Sequence, residues 1–96
     1  MREISFPARI TSFEELNINQ RFLLAAFRGI TPVVNEILSM PNSEGFEPNC
    51  YDKEGFTALH AAASRGFAGM VQMLIDDPRI DKHALDKFGR HAIQLA

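Results

Sequence analysis

Apolar residues along this chain come in short blocks at helical spacing, and each block is closed by glycine or proline. In the clearest block, Thr57 precedes a small-residue run at 58–63, where its hydroxyl can accept a bond from an amide that the helix itself leaves orphaned. Gly66 ends that helix by allowing a positive φ. Met70, Val71, Leu74 and Ile75 then recur as the apolar stripe of a second helix, which Pro78 closes. An upstream block follows the same plan. A helix over 22–27 is broken at Gly29, and Thr31-Pro32 places a cap and an N1 proline before Val33, Val34, Ile37 and Leu38. Two helical hairpins are predicted. Ahead of them, Ser12 and Glu15 have capping-box spacing, and Ile4, Phe6 and Ile10 offer apolar contacts. That segment reads as a short lead-in helix covering the first pair, with a peptide arm as its rival.

The two blocks are copies. Asp52-Lys53-Glu54-Gly55-Phe56-Thr57-Ala58-Leu59 returns as Asp86-Lys87-Phe88-Gly89-Arg90-His91-Ala92-Ile93, an offset of 86 − 52 = 34. Ala25-Ala26-Phe27-Arg28-Gly29 anticipates Ala62-Ala63-Ser64-Arg65-Gly66 at 66 − 29 = 37. The three extra residues fall in the turn-rich stretch 41–49, which absorbs an insertion without disturbing helices.

Asp52, Gly55, Thr57, Ala58, Leu59, His60, Ala62, Ala63, Gly66, Met70, Val71, Met73, Leu74 and Ile75 together resemble the ankyrin repeat pattern D-x-x-G-x-T-P-L-H-x-A-A-x-x-G-x-x-x-I-V-x-L-L-L. Ala58 stands where the family usually has Pro, Glu36 where it has Leu, and His91 and Gln94 where it has Thr and His. The resemblance implies an all-α fold, a short stack of helix pairs with projecting hairpin loops, about two and a half repeats long. The expected divisions are a lead-in or cap at 1–16, a degenerate first repeat with a long loop at 17–48, a second repeat at 49–85 and an incomplete third at 86–96. One helix pair cannot cover its own apolar face, so neighbours must supply the cover. A third copy cut short at Ala96 leaves part of the second repeat's flank bare, which reads as a piece of a longer repeat protein or as an edge for self-association.

Composition narrows the function classes. With 46% hydrophobic and 23% charged residues the chain is expected to form one soluble domain, and a net charge of -2 lacks the basic excess of a domain held to nucleic acid by its phosphates. No apolar stretch approaches membrane-spanning length, and the single Cys50 fits a reducing compartment. The expected location is the cytoplasm, or a host's cytoplasm if the protein is an injected effector.

Catalytic and metal chemistry find little support. Cys50, His60 and Asp52 could form a nucleophile, base and orienting group only if all three converged. The family resemblance instead puts Cys50 at a loop edge and makes His60 and Thr57 a structural pair that ties the hairpin to the helix start. His60, His83, His91 and Cys50 lack the close ligand pairs of a zinc site, and the glycines follow the repeat rather than a phosphate loop. No cofactor or metal is expected. Asn49 and His83 align with a position hydroxylated in other ankyrin proteins, although turn bonding to nearby backbone also explains an asparagine there.

Positions left free by the repeat's own needs are the hairpin tips and the inner helix face, which ankyrin proteins generally use for binding. Here they are Phe27, Arg28, Lys53, Glu54, Phe56, Ser64, Arg65, Lys87, Phe88 and Arg90, of which five are cationic and one acidic. The expectation is a non-catalytic module that binds a partner protein, by aromatic anchors in a positive surround suited to an acidic segment. Its rivals are a substrate-recruiting fragment of a larger enzyme or effector, and a structural spacer or self-associating unit.

Overall fold

Side-chain caps start the first and third helices, and glycine turns lie between the two helices of each pair. The computed structural model describes residues 3, 4, 6, 16–40 and 45–92. Within these lie α1 (Ile18–Arg28), α2 (Thr31–Ser39), α3 (Ala58–Ser64) and α4 (Ala68–Asp76), with no strand beyond two isolated bridges. The fold is all-α. The Ser12–Glu15 spacing and the lead-in helix expected from it lie outside the described residues.

The helix expected over 22–27 starts earlier, at Ile18, because Asn17 and Gln20 form a reciprocal capping box. The Gln20 N–H donates to Asn17 Oδ1 and the Asn17 N–H donates to Gln20 Oε1, each at 2.9 Å. Thr57 and His60 make the same box at the start of α3, with histidine in place of the usual glutamate or glutamine. Thr31, expected to cap α2, instead lies inside its first turn and Ile30 holds the cap position. The Ile30 carbonyl already accepts from Val33 and Val34 at 3.2 and 3.3 Å, so the helix is under way before Thr31 can cap it.

Both helical hairpins turn alike. The Ile30 N–H donates to Ala25 O at 2.9 Å, and the Phe67 N–H donates to Ala62 O at 3.0 Å, the 6→1 bond of a Schellman turn repeated 37 residues on. Gly29 takes φ +73° here, and a β-carbon on it would sit 2.8 Å from Phe67 Cζ. The first turn is thus shaped to receive the aromatic ring of the second.

α1 packs on α2, α3 on α4, and α1 on α3, making an inner row of α1 and α3 and an outer row of α2 and α4. Ala25, Ala26, Ala58, Ala61, Ala62 and Ala63 are all buried, and these small side chains let the inner helices approach closely. Phe22, Leu23, Met70 and Leu74 fill the space between rows, each contributing about 1.5–3 kcal/mol by leaving water. Glu3 forms a parallel bridge with Tyr51, and buried Ile4 donates its N–H to the Tyr51 carbonyl. The N-terminal residues that are described therefore run alongside the second repeat's hairpin.

Candidate protein-binding face

Two aspartates build the hairpin tips, and they do so with the same bonds. Asp52 Oδ1 accepts from the N–H groups of Glu54 and Phe56 at 2.8 and 3.0 Å. Asp86 Oδ1 accepts from Phe88 and Arg90, both at 2.9 Å. Each aspartate also gives its N–H to the carbonyl four residues on, Phe56 or Arg90, at 3.0 Å. The 34-residue repeat is thus a repeat of hydrogen bonds as well as of letters.

The tips interlock. The Lys87 N–H donates to Glu54 O at 3.0 Å, and Gly55, at φ +78°, lies so close to the third hairpin that a β-carbon would be 2.6 Å from Lys87 N. His60 supplies a second tie. Its Nδ1 is 2.9 Å from Thr57 Oγ1, and its Nε2 is 2.9 Å from the Arg90 carbonyl. Only a protonated Nε2 can donate to that carbonyl, which leaves Nδ1 to accept from the Thr57 hydroxyl.

On this frame the aromatic residues form a row across the inner face. Phe27 and Phe56 stack with centroids 6.4 Å apart and planes 2° from parallel. The Arg90 guanidinium follows, 5.9 Å from the Phe56 ring and 5.0 Å from Phe88, and Lys87 Nζ lies 5.4 Å from Phe88. Phe88 remains 62% exposed, a large apolar surface facing solvent. Arg28, Ser64 and Arg65 are exposed at the far ends of the inner helices, where Ser64 Oγ donates to Ala61 O at 3.1 Å. Lys53 is exposed at the second tip.

Charge pairing changes the picture drawn from residue types. Lys87 is paired with Glu54 at 3.0 Å, and Arg90 Nε with the buried Asp86 at 2.9 Å. Among the described residues, Arg28, Lys53 and Arg65 carry no such pair, so the positive surround rests on three cations and not five. Burial would raise the Asp86 carboxyl, but the hydrogen bonds from Arg90 and Phe88 outweigh it and hold the group below the usual carboxylate range.

Cys50 lies in the loop leading into the second hairpin, yet it is not open to solvent. Its side chain is fully buried in the core, and burial, with the nearby Glu47 charge adding to it, pushes the thiol up to about 12. A buried thiol held protonated is no nucleophile, and His60 has both ring nitrogens engaged.

Asn49 likewise bonds to distant backbone and not to its neighbours. Its Nδ2 donates to Arg79 O at 2.9 Å and its Oδ1 accepts from the Asp81 N–H at 2.6 Å. Asn19, which the sequence reading passed over, grips Gly45 O and the Glu47 N–H in the same two-point way, at 2.9 and 2.8 Å. The gripped residues are 34 apart although the asparagines are 30 apart, so α1 of the first repeat does what a loop residue does in the second. Arg79 was also missed. It pairs with Asp77 at 2.8 Å, donates to the Leu38 carbonyl and lies over the Phe46 ring. His83 is exposed, with its ring edge-on to His91 at 6.2 Å.

No described helix is long and apolar enough to cross a membrane. The family model described as ankyrin repeats (many copies) matches residues 42–96, more than half of the chain. No curated protein matches the chain. Ankyrin repeats are generally protein–protein interaction modules and typically non-catalytic. With the repeated hairpin bonds, the paired Schellman turns and this match, the chain belongs to the ankyrin repeat family.

Proposed function

We propose that this protein binds a partner protein through its inner helix face and hairpin tips, without catalysing a reaction. The observation that carries the reading is the Phe27–Phe56–Arg90–Phe88 row, which holds aromatic anchors at fixed positions and leaves Phe88 facing water. Rings held in advance lose little freedom on binding, which is what makes an aromatic anchor effective. The three unpaired cations favour a partner with an acidic segment carrying apolar side chains. A buried free thiol suits a reducing compartment, so we place the interaction in the cytoplasm, or in a host's cytoplasm for an injected effector. We divide the chain into a cap at 1–16 and repeats at 17–48, 49–85 and 86–96, following the recurrent bonds. Asn49 and His83 are the positions where we would seek hydroxylation, as a gain of one oxygen in the intact mass.

A panel of random dodecapeptides selected on the protein tests the binding face. Selected peptides are expected to lose about tenfold in affinity, near 1.4 kcal/mol, when exposed Phe88 is changed to Ser. Selected peptides that bind Phe88→Ser and Phe56→Ser proteins as tightly as the original would refute it. A second reading has its own observation. Leu85, 52% exposed, stands with Phe88 on the third hairpin, so self-association through that edge would show as mass rising with concentration in sedimentation and falling with Leu85→Ser.

A further inference from the structure

We infer that Arg28 and Arg65 act together, each holding one of two carboxylates set three residues apart on an extended acidic segment of the partner. This rests on the proposed binding through the inner face and assigns the partner's pattern. Arg28 is the last residue of α1 and Arg65 the residue immediately after α3. Each is exposed and precedes a glycine in the left-handed conformation, Gly29 or Gly66. They are therefore equivalent side chains at the same end of two helices that pack directly on each other. Neither joins an ion pair among the described residues, whereas Lys87 and Arg90 on the neighbouring hairpin are neutralised by Glu54 and Asp86.

Spacing selects the ligand. Packed helices lie about 8–10 Å apart, so the backbone positions that carry the two arginines repeat at roughly that interval across the face. An extended polyproline-type chain advances about 9.3 Å in three residues and brings the side chain back to the same side. A β-strand returns to one side every second residue, at about 6.6 Å or 13 Å, a poorer match to the spacing of the two attachment points. The carbonyl ends of α1 and α3 offer anions nothing, since a helix C-terminus carries partial negative charge. The arginine side chains must supply the whole attraction, and each guanidinium can take a carboxylate in two parallel bonds. The stacked Phe27 and Phe56 lie on the same face to receive an apolar side chain from the same segment.

Fluorescence anisotropy with labelled proline-rich nonapeptides tests this directly. Each would hold one leucine and two glutamates, the glutamates one, two, three or four positions apart. Affinity is expected to peak at three, with Arg28→Ala or Arg65→Ala each lowering that peak about fivefold and flattening the series. Both arginines are exposed, so the variants are expected to stay folded, which circular dichroism would check. A flat series on the wild-type protein, or a peak unaffected by either change, overturns the inference. Polyuridylate binding as tightly as the best peptide would also overturn it, by showing a phosphate-binding face. Peptides that bind without spacing dependence yet still require Phe88 would sink this inference alone and leave the broader binding reading standing.

Discussion

His60 Nε2 and the carbonyl oxygen of Arg90 lie 2.9 Å apart, joining the inner helix of one repeat to the hairpin of the next. The imidazole is fully buried, so nothing replaces this bond when it is lost. His60→Ala should cost about 3 kcal/mol, because it opens a cavity and strands the Arg90 carbonyl together with the cap of α3. Urea unfolding measures it. A loss below about 1 kcal/mol would mean the tie contributes little.

Gly55 and Gly89 allow a cleaner comparison. They hold the same place in successive hairpins, at φ +78° and +75°, but a β-carbon on Gly55 meets Lys87 N at 2.6 Å while one on Gly89 meets nothing within 4 Å. Gly89→Ala should cost about 1–2 kcal/mol, the penalty of the left-handed conformation alone. Gly55→Ala should cost that and more, because the clash is with backbone. Equal losses in thermal unfolding would show that the hairpins do not interlock.

The asparagine grips predict local effects. Asn19→Asp and Asn49→Asp remove the amide donors to Gly45 O and Arg79 O while preserving shape, and each should lower stability by about 1–3 kcal/mol. Hydrogen exchange distinguishes the two sites. Asn19→Asp should raise opening of the second hairpin's approach around Glu47, and Asn49→Asp that around Asp81.

Asp86 gives the fold an acid limb. Its carboxyl lies below its unfolded value of about 3.9, so the stabilisation is fully present above that pH and is lost as pH falls through the lower folded value. Asp86→Asn keeps an acceptor for the Phe88 and Arg90 N–H groups but loses the ion pair to Arg90. The variant should be less stable than the original at pH 7, with the difference shrinking towards pH 2–3. A constant difference across that range in thermal melts would contradict the assignment.

Much of the frame is legible in the residues, since Asp52 and Asp86, Gly29 and Gly66, and the stripe of Met70 and Leu74 each have a local reason to stand where they do. What stayed hidden depends on distant partners. Asn19 lies ahead of the expected helix, in the first turn of α1, and nothing near it in sequence reveals that it grips residues 26 and 28 positions away. Lys87 and Arg90 count as free charge by residue type, and only the folded hairpins bring Glu54 and Asp86 to them. Thr31 shows the reverse error. Thr-Pro has cap chemistry, but after the Schellman turn at Gly29 it is Ile30 that takes the cap position and Thr31 that opens α2.

The most direct measurement is a titration of the 15N-labelled protein with a selected peptide, followed by amide shifts. Binding through the inner face should move Phe27, Arg28, Phe56, Ser64, Arg65, Phe88 and Arg90 while leaving Asn35 and Glu36 on α2 and Gln72 and Asp76 on α4 in place. Shifts confined to α2 and α4 would place binding on the outer row and contradict the inner face as the site.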